Sequence, residues 1–280
     1  MLKASGLRVD AIVLDLEDSV PAYDKETARW LVKEYLNEAE LGRGHPRIFV
    51  RINGVATGLY KIDLEYVVSD NVDGIIIPKA ESGRDIKLVE SRINEVEGLK
   101  GIRGRMGIIP IIETVRGIMN IGSILDSSNR IIAVSFGAAD YCRDLGVNYN
   151  ALSLEQYELI YPRSVIALNA RLRGMMAIDT PFMGLITDLD GLEREAWIGR
   201  RLGFNGKYAI HPSHIDIINR VYTPSKEEVR EARDIVTLYE SALREGRGVA
   251  VYDGRMIDEP HYRIAKKIIE FMEELGGGDG

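Results

Sequence analysis

The chain has 280 residues, 45% of them hydrophobic, enough to bury a sizeable core of the kind a barrel domain builds from ~250 residues. Lys and Arg number 36 against 43 Asp and Glu, a net charge of −7, and no basic run exceeds Lys266-Lys267, so the clustered positive charge that nucleic acid requires is missing. The single cysteine, Cys142, cannot close an internal disulfide and fits a reducing cytoplasm; no apolar stretch reaches the ~18 residues of a membrane span, and the N-terminus has no signal-peptide core.

Seven short apolar runs, rich in Ile and Val, alternate with amphipathic segments. They are AIVLDLED (11–18), RIFVRIN (47–53), DGIIIPKAE (73–81), GIIPIIET (107–114), RIIAVSFGAAD (130–140), GMMAIDTP (174–181) and KYAIHP (207–212). Runs that are continuously apolar, rather than alternating, read as strands buried on both faces, as in parallel sheets. KETARWLVKEYLNEAE (25–40) and LEQYELIYPRSVIALNARL (154–172) carry helical periodicity. A repeat of ~30 residues per strand and helix predicts a TIM (β/α)8-type barrel. An open doubly wound sheet fits less well, because no glycine-rich phosphate loop follows the first run.

The pattern changes after Arg220. TPSKEEVREARDIVTLYESALREG (223–246) predicts a helix with Thr223 or Ser225 as N-cap, and GVAVYDGRMIDEP (248–260) a hairpin-like or extended connection. EPHYRIAKKIIEFMEEL (259–275) predicts a final amphipathic helix before a fraying GGGDG end. The expected division is a catalytic barrel over 1–222 and a C-terminal helical arm over 223–280.

In a parallel barrel the C-terminal strand ends converge on one rim, and active sites sit there. The residues closing the runs are Asp15, Glu17 and Asp18, then Arg51, Lys79, Glu113, Asp140, Asp179 and His211. Each alone has an ordinary explanation, a helix cap or a surface ion pair; their recurrence at corresponding positions marks them as a group. Glu113 and Asp140 close neighbouring runs, so both carboxylates can reach one ion. Oxygen ligands with little His and no Cys beside them point to a hard cation such as Mg²⁺, which takes one or two carboxylates and fills its shell with water and substrate. Glu17 or Asp18 would accept hydrogen bonds from those waters. The planar fork of Arg51 suits a substrate carboxylate or a thioester carbonyl. His211 reads as a turn-fixing residue, Cys142, Trp30 and Trp197 as packing residues, and Asp179 equally as a helix cap or a substrate contact.

The segments LDLEDSV, VRING, IIIPKAES, IIETVRGI, FGAADYCRDLG, AIDTPF, GLEREAWIGRRLGFNGKYAIHP and GRMIDEPH together resemble the citrate lyase β-subunit-like family of the HpcH/HpaI aldolase superfamily, which includes malyl-CoA and citramalyl-CoA lyases. The match runs nearly end to end, in order and spacing. It implies a TIM barrel, a homotrimer or hexamer, Mg²⁺ held by Glu113 of the ET motif and Asp140 of the GAAD motif, and substrate contact by Arg51 of the RIN motif. Glu17 and Asp18 of the LED motif would lie near the metal waters. Asp258 of the MID motif would be presented by the C-terminal arm to a neighbouring subunit's site. Members usually begin with a further strand reading like RSxLFxPG, whose loop helps to hold the coenzyme A diphosphate. Here the chain starts at MLKASGL, so seven strands are expected, and the two that would flank the eighth carry open backbone edges.

The expected activity is a magnesium-dependent carbon–carbon cleavage of a 3-hydroxy-dicarboxyl-CoA thioester (malyl-, citramalyl- or citryl-CoA) to an acyl-CoA and a 2-oxoacid. Arg51, Asp258, Glu17 and Asp18 would be catalytic, with Lys79 and Arg163 as cofactor-binding residues. Rival expectations are a pyruvate-type aldolase acting on free acids, and a β subunit acting with an acyl carrier partner.

Overall fold

The structure is a computed structural model that describes residues 7–38, 46–102 and 106–276. The chain divides into two compact units, Met1–Ile218 and Asn219–Gly280.

In the first unit seven parallel strands pair in sequence order: β1 (Ala11–Asp15), β2 (Arg47–Arg51), β3 (Gly74–Ile77), β4 (Gly107–Ile112), β5 (Ala133–Phe136), β6 (Met176–Asp179) and β7 (Gly206–Lys207). Between them run α1 (Lys25–Glu38), α2 (Tyr60–Val67), α3 (Gly83–Lys100), α4 (Val115–Leu125), α5 (Ala138–Leu145), α6 (Tyr157–Leu172) and α7 (Leu189–Leu202). The runs are continuously apolar because both strand faces are covered. Phe49, Ile76, Ile109, Ile111 and Ala133 form one inner cluster, while Val50, Ile75, Ile77, Ile108 and Ile112 are buried outside it. Val13 of β1 and Tyr208, just beyond β7, pack against that same inner cluster. Strands at opposite ends of the pairing order therefore share one interior, and the sheet is a curled half-barrel. Among the described residues β1 and β7 have no pairing with each other. The described residues carry the seven strands the sequence reading expected, consistent with a TIM-like barrel lacking one.

Each strand is shorter than its apolar run, because the polar residues closing the run turn away into loops. Thr114 caps α4 by accepting from the Gly117 N–H at 3.0 Å. That leaves the neighbouring Glu113 carboxylate free of capping duty. His211 fixes its turn as expected, accepting from the Ser213 N–H at 3.2 Å. Cys142 is buried. Trp30 corrects the core expectation: it is 47% exposed, edge-on to Tyr66 with the Lys33 ammonium over its ring. Trp197 is only partly buried, flanked by the Arg200 and Arg201 guanidinium groups.

α8 (Ile215–Tyr222) crosses the boundary between the units. The second unit pairs α9 (Lys226–Arg244) and α10 (Glu259–Glu274) with a hairpin of β8 (Ala250–Tyr252) and β9 (Arg255–Ile257). Ser225 is the N-cap of α9, in a capping box with Glu228. Asp253 and Gly254 both hold left-handed backbone, at φ 48° and 72°, the requirement of a tight hairpin turn. Tyr239, Ala242, Ala250 and Ile257 give this unit a small core of its own. Residues 277–280 of the expected frayed end lie outside the described residues. No described helix is long and apolar enough to cross a membrane.

Candidate functional site

Because β1 to β5 run parallel, their closing residues meet on one rim. Asp15 and Arg51 are register partners at the ends of β1 and β2. They form a two-point ion pair, Nε to Oδ1 at 2.7 Å and Nη2 to Oδ2 at 2.6 Å. The remaining guanidinium nitrogen lies 3.1 Å from Glu17 Oε2. Burial works to raise the Asp15 carboxyl, but the Arg51 fork overrides it and brings the group down to about 2. Burial likewise works against the Arg51 charge, and Asp15 and Glu17 hold its pKa above the ordinary range.

Lys79 follows β3 with left-handed backbone, φ 51°. That conformation costs a non-glycine residue energy, and such strain collects at functional sites. It lets one residue serve two partners. The backbone N–H donates to Glu113 Oε1 at 2.7 Å. The ammonium donates to Glu17 and lies 3.3 Å from Asp18 Oδ2 and 3.6 Å from Asp140 Oδ2. Burial alone would lower Lys79; the Glu17 hydrogen bond and the surrounding carboxylates hold it above its ordinary value. Burial also pushes the Glu17 carboxyl up, against the pull of Lys79 and Arg51.

Glu113 is 3% exposed. Burial first, and then the nearby Asp140 carboxylate, push its pKa up to about 8. Asp140 sits in the first turn of α5, and Arg143 one turn on contacts it at 2.6 Å. Gly137, the N-cap of α5, passes so close that a Cβ there would fall 2.3 Å from Glu113 Oε2. A buried glutamate whose ionisation is opposed by a second carboxylate beside it is a donor set that a hard divalent cation fits, since its charge offsets theirs. No group of three or more His, Cys, Asp or Glu is arranged around a metal position among the described residues; two carboxylates match the usual protein share of a Mg²⁺ shell.

The other expected residues lie apart from this cluster. Arg163 has no exposed surface; its Nε donates to Asp179 Oδ1 at 2.9 Å and its Nη1 to Gln156 at 2.5 Å. The cofactor-binding expectation for Arg163 is therefore corrected: a guanidinium sealed in the protein is not offered to a ligand. Asp179, expected as a cap or a substrate contact, is instead fully buried between Arg163 and Lys207. Asp258, in the second unit, is the N-cap of α10, with Pro260 in its first turn and its carboxylate against His261 Nδ1. The His261 hydrogen bond lowers its pKa.

Sequence reading passed over Asp15 as the grip on Arg51, and Glu195 and Lys207 altogether. Glu195, Lys207, Arg163 and Asp179 form a balanced set of two cations and two carboxylates, each at most 2% exposed at the side chain. A lysine opening an apolar run and a glutamate in a charged helix look solvated in sequence; only their enclosure reveals the pairing.

The profile of the HpcH/HpaI aldolase/citrate lyase family matches residues 1–212. The citrate lyase subunit beta of Leuconostoc mesenteroides subsp. cremoris is 34% identical over 272 residues, 96% of this chain and 88% of that protein. The L-malyl-CoA/beta-methylmalyl-CoA lyase of Rhodobacter capsulatus is 33% identical over 288 residues, 97% of this chain and 90% of that one. Protein CitE of Mycobacterium tuberculosis, solved with magnesium, acetoacetate and coenzyme A, superposes with a TM-score of 0.74 at 27% identity, covering 94% of this chain and 89% of that one.

Proposed function

The chain belongs to the HpcH/HpaI aldolase/citrate lyase family, and from that premise we propose that it cleaves, or in reverse forms, a 3-hydroxy-dicarboxyl coenzyme A thioester, with Mg²⁺ held by Glu113 and Asp140. It is a carbon–carbon lyase, like its relatives. The observation that carries the finer reading is Lys79, whose amide and ammonium gather Glu113, Glu17, Asp18 and Asp140 on one rim next to Arg51.

The bond that breaks joins the hydroxyl-bearing carbon to the carbon next to the thioester. The hydroxyl gives up its proton to water, its carbon becomes the keto carbon of a 2-oxoacid, and the bonding pair passes into a thioester enolate. A divalent cation at Glu113 and Asp140 would supply Lewis acidity toward the hydroxyl and its neighbouring carboxylate oxygen. Arg51, fixed by the two-point grip of Asp15 and by Glu17 beside its third nitrogen, would offer a remaining N–H to the enolate oxygen; a donor fixed in advance needs no reorganisation as charge develops. Glu17 and Asp18 would orient water at the cation, and Lys79 offsets their charge. The Asp258 carboxylate takes up that proton from water and delivers it to the enolate carbon, completing the acyl thioester. In support, its side chain is 37% exposed, open to proton exchange with water. We assign Asp258 to the site of an adjacent subunit in a homotrimer or hexamer.

The test is mass spectrometry of malyl-, citramalyl- and citryl-CoA incubated with the protein and Mg²⁺. One of them is expected to yield its acyl-CoA and 2-oxoacid. Cleavage of the free hydroxy-acids without a thioester would replace this reading with a pyruvate-type aldolase. Inactivity toward every CoA thioester, relieved by an acyl carrier protein, would make the chain a β subunit, the reading that its identity to citrate lyase subunit beta favours.

A further inference from the structure

The helix that carries Asp140 lacks a cap of its own. Its N-cap is Gly137, which has no side chain to accept from the first amides of α5, and those amides are orphans in any helix. The Ala138 N–H is nevertheless satisfied. It donates to the Thr180 hydroxyl at 3.1 Å, from a residue 42 positions downstream, just beyond β6. Thr180 is 1% exposed. Its carbonyl in turn accepts from the Lys207 ammonium at 2.7 Å, and Lys207 is held by Asp179 and Glu195. On the other side, the Gly137 N–H donates to the Ile112 carbonyl at 3.1 Å, one residue before Glu113. The backbone turn at Gly137 and Ala138 is thus clamped between Ile112 of β4 and Thr180, just beyond β6.

That turn governs both carboxylates. Asp140 lies two residues beyond it, on the helical turn whose direction it sets. Glu113 Oε2 lies where a Gly137 Cβ would be, 2.3 Å away, so a shift of that backbone toward β4 would displace the carboxylate. We infer that Thr180 is a positioning residue for the Glu113–Asp140 pair: its hydroxyl, anchored through Lys207 to the buried charge cluster, caps α5 from outside the helix and holds both carboxylates at one spacing. This rests on the reading of that pair as the metal site. It also gives the buried cluster of Arg163, Asp179, Glu195 and Lys207 a task in the site without contact with any ligand.

The test is Mn²⁺ binding to the substrate-free protein, followed by electron paramagnetic resonance, for wild type, Thr180→Val, Thr180→Ser and Glu113→Gln. Valine keeps the shape and removes the acceptor; serine keeps the acceptor. Thr180→Val is expected to weaken Mn²⁺ binding by ~10–100-fold, the usual loss when a partner that orients a metal ligand is removed, while Thr180→Ser stays close to wild type. Wild-type affinity in Thr180→Val would overturn the inference, as would a loss in Thr180→Ser equal to that in Thr180→Val, since the hydroxyl would then not be what matters. If the valine protein does not fold, Thr180→Ala removes the same acceptor and is judged by the same two outcomes. Glu113→Gln separates the two failures. Wild-type Mn²⁺ affinity there would remove the metal reading itself, whereas lost affinity there with Thr180→Val unaffected would remove only the positioning role.

Discussion

Glu113 is a carboxylate with 3% exposure, and a buried acid without a compensating charge is costly to ionise. Glu113→Gln keeps its volume and removes its charge, so Mg²⁺ affinity measured by calorimetry is expected to fall sharply while the thermal transition stays cooperative. Unchanged affinity would dismiss Glu113 as a ligand. Arg51→Lys keeps a cation but loses the fork that Asp15 grips at two points. Turnover is expected to drop on the order of 10²-fold, as when a transition-state donor is removed, with a thermal midpoint close to wild type; near-normal turnover would leave Arg51 as an ion pair alone. Asp15 yields a pH prediction. Its folded pKa is depressed from 3.8 to about 2, so its stabilisation is present above the unfolded pKa and is lost as pH falls through that value towards the folded one. The linkage is worth roughly 2 kcal/mol at neutral pH. In Asp15→Asn, denaturant titrations should lose this part of the stability decline between pH 4 and about 2; an unchanged acid limb would remove Asp15 as its source. The site carboxylates and Arg51 were legible in the sequence because each closes an apolar run. Arg163, Glu195 and Lys207 were not, because their partners lie up to 39 residues away and only folding encloses them.

The turn from β5 into α5 is where an element rather than a side chain shapes the site. Gly137 has φ −115°, which any residue tolerates; what excludes a side chain is the Glu113 carboxylate against it. Gly137→Ala is therefore expected to displace Glu113, and a misplacement of about 1 Å costs on the order of 10²-fold in rate. Comparing kcat and Mg²⁺ affinity with wild type checks this, and an alanine variant equal to wild type in both would show that the neighbouring helix yields freely. The apolar runs located all seven strands, but not their ends. β7 retains only Gly206–Lys207 of its neighbourhood, since His211 and Pro212 commit the chain to a 3₁₀ turn. Capping chemistry was readable where cap and helix adjoin, as at Ser225 with Glu228. It was not readable at α5, whose acceptor comes from another strand.

At the scale of the molecule, the chain carries its proposed proton donor in a second unit with a separate core, centred on Tyr239 and Ile257. If Asp258 serves an adjacent subunit, Asp258→Ala and Glu113→Gln proteins should each be nearly inactive alone. Dissociated and reassembled together, they should regain activity, because some sites then combine an intact Glu113 with a neighbour's intact Asp258. Verified mixed oligomers as inactive as their parents would refute the assignment. If Asp258→Ala instead loses stability and keeps turnover, the α10 cap is its whole role. The sequence by itself determined the strand and helix alternation, the parallel pairing and the family, because apolar period, strand-closing polar residues and motif spacing are local properties of the chain. It also named the carboxylates on the rim. Only the tertiary structure decided that the sheet curls until Val13 and Tyr208 share one interior, that Arg163 is sealed inside, and that Thr180 caps the helix of Asp140. Those outcomes depend on which distant groups are pressed together and cut off from water, and enclosure is a property of the packed whole.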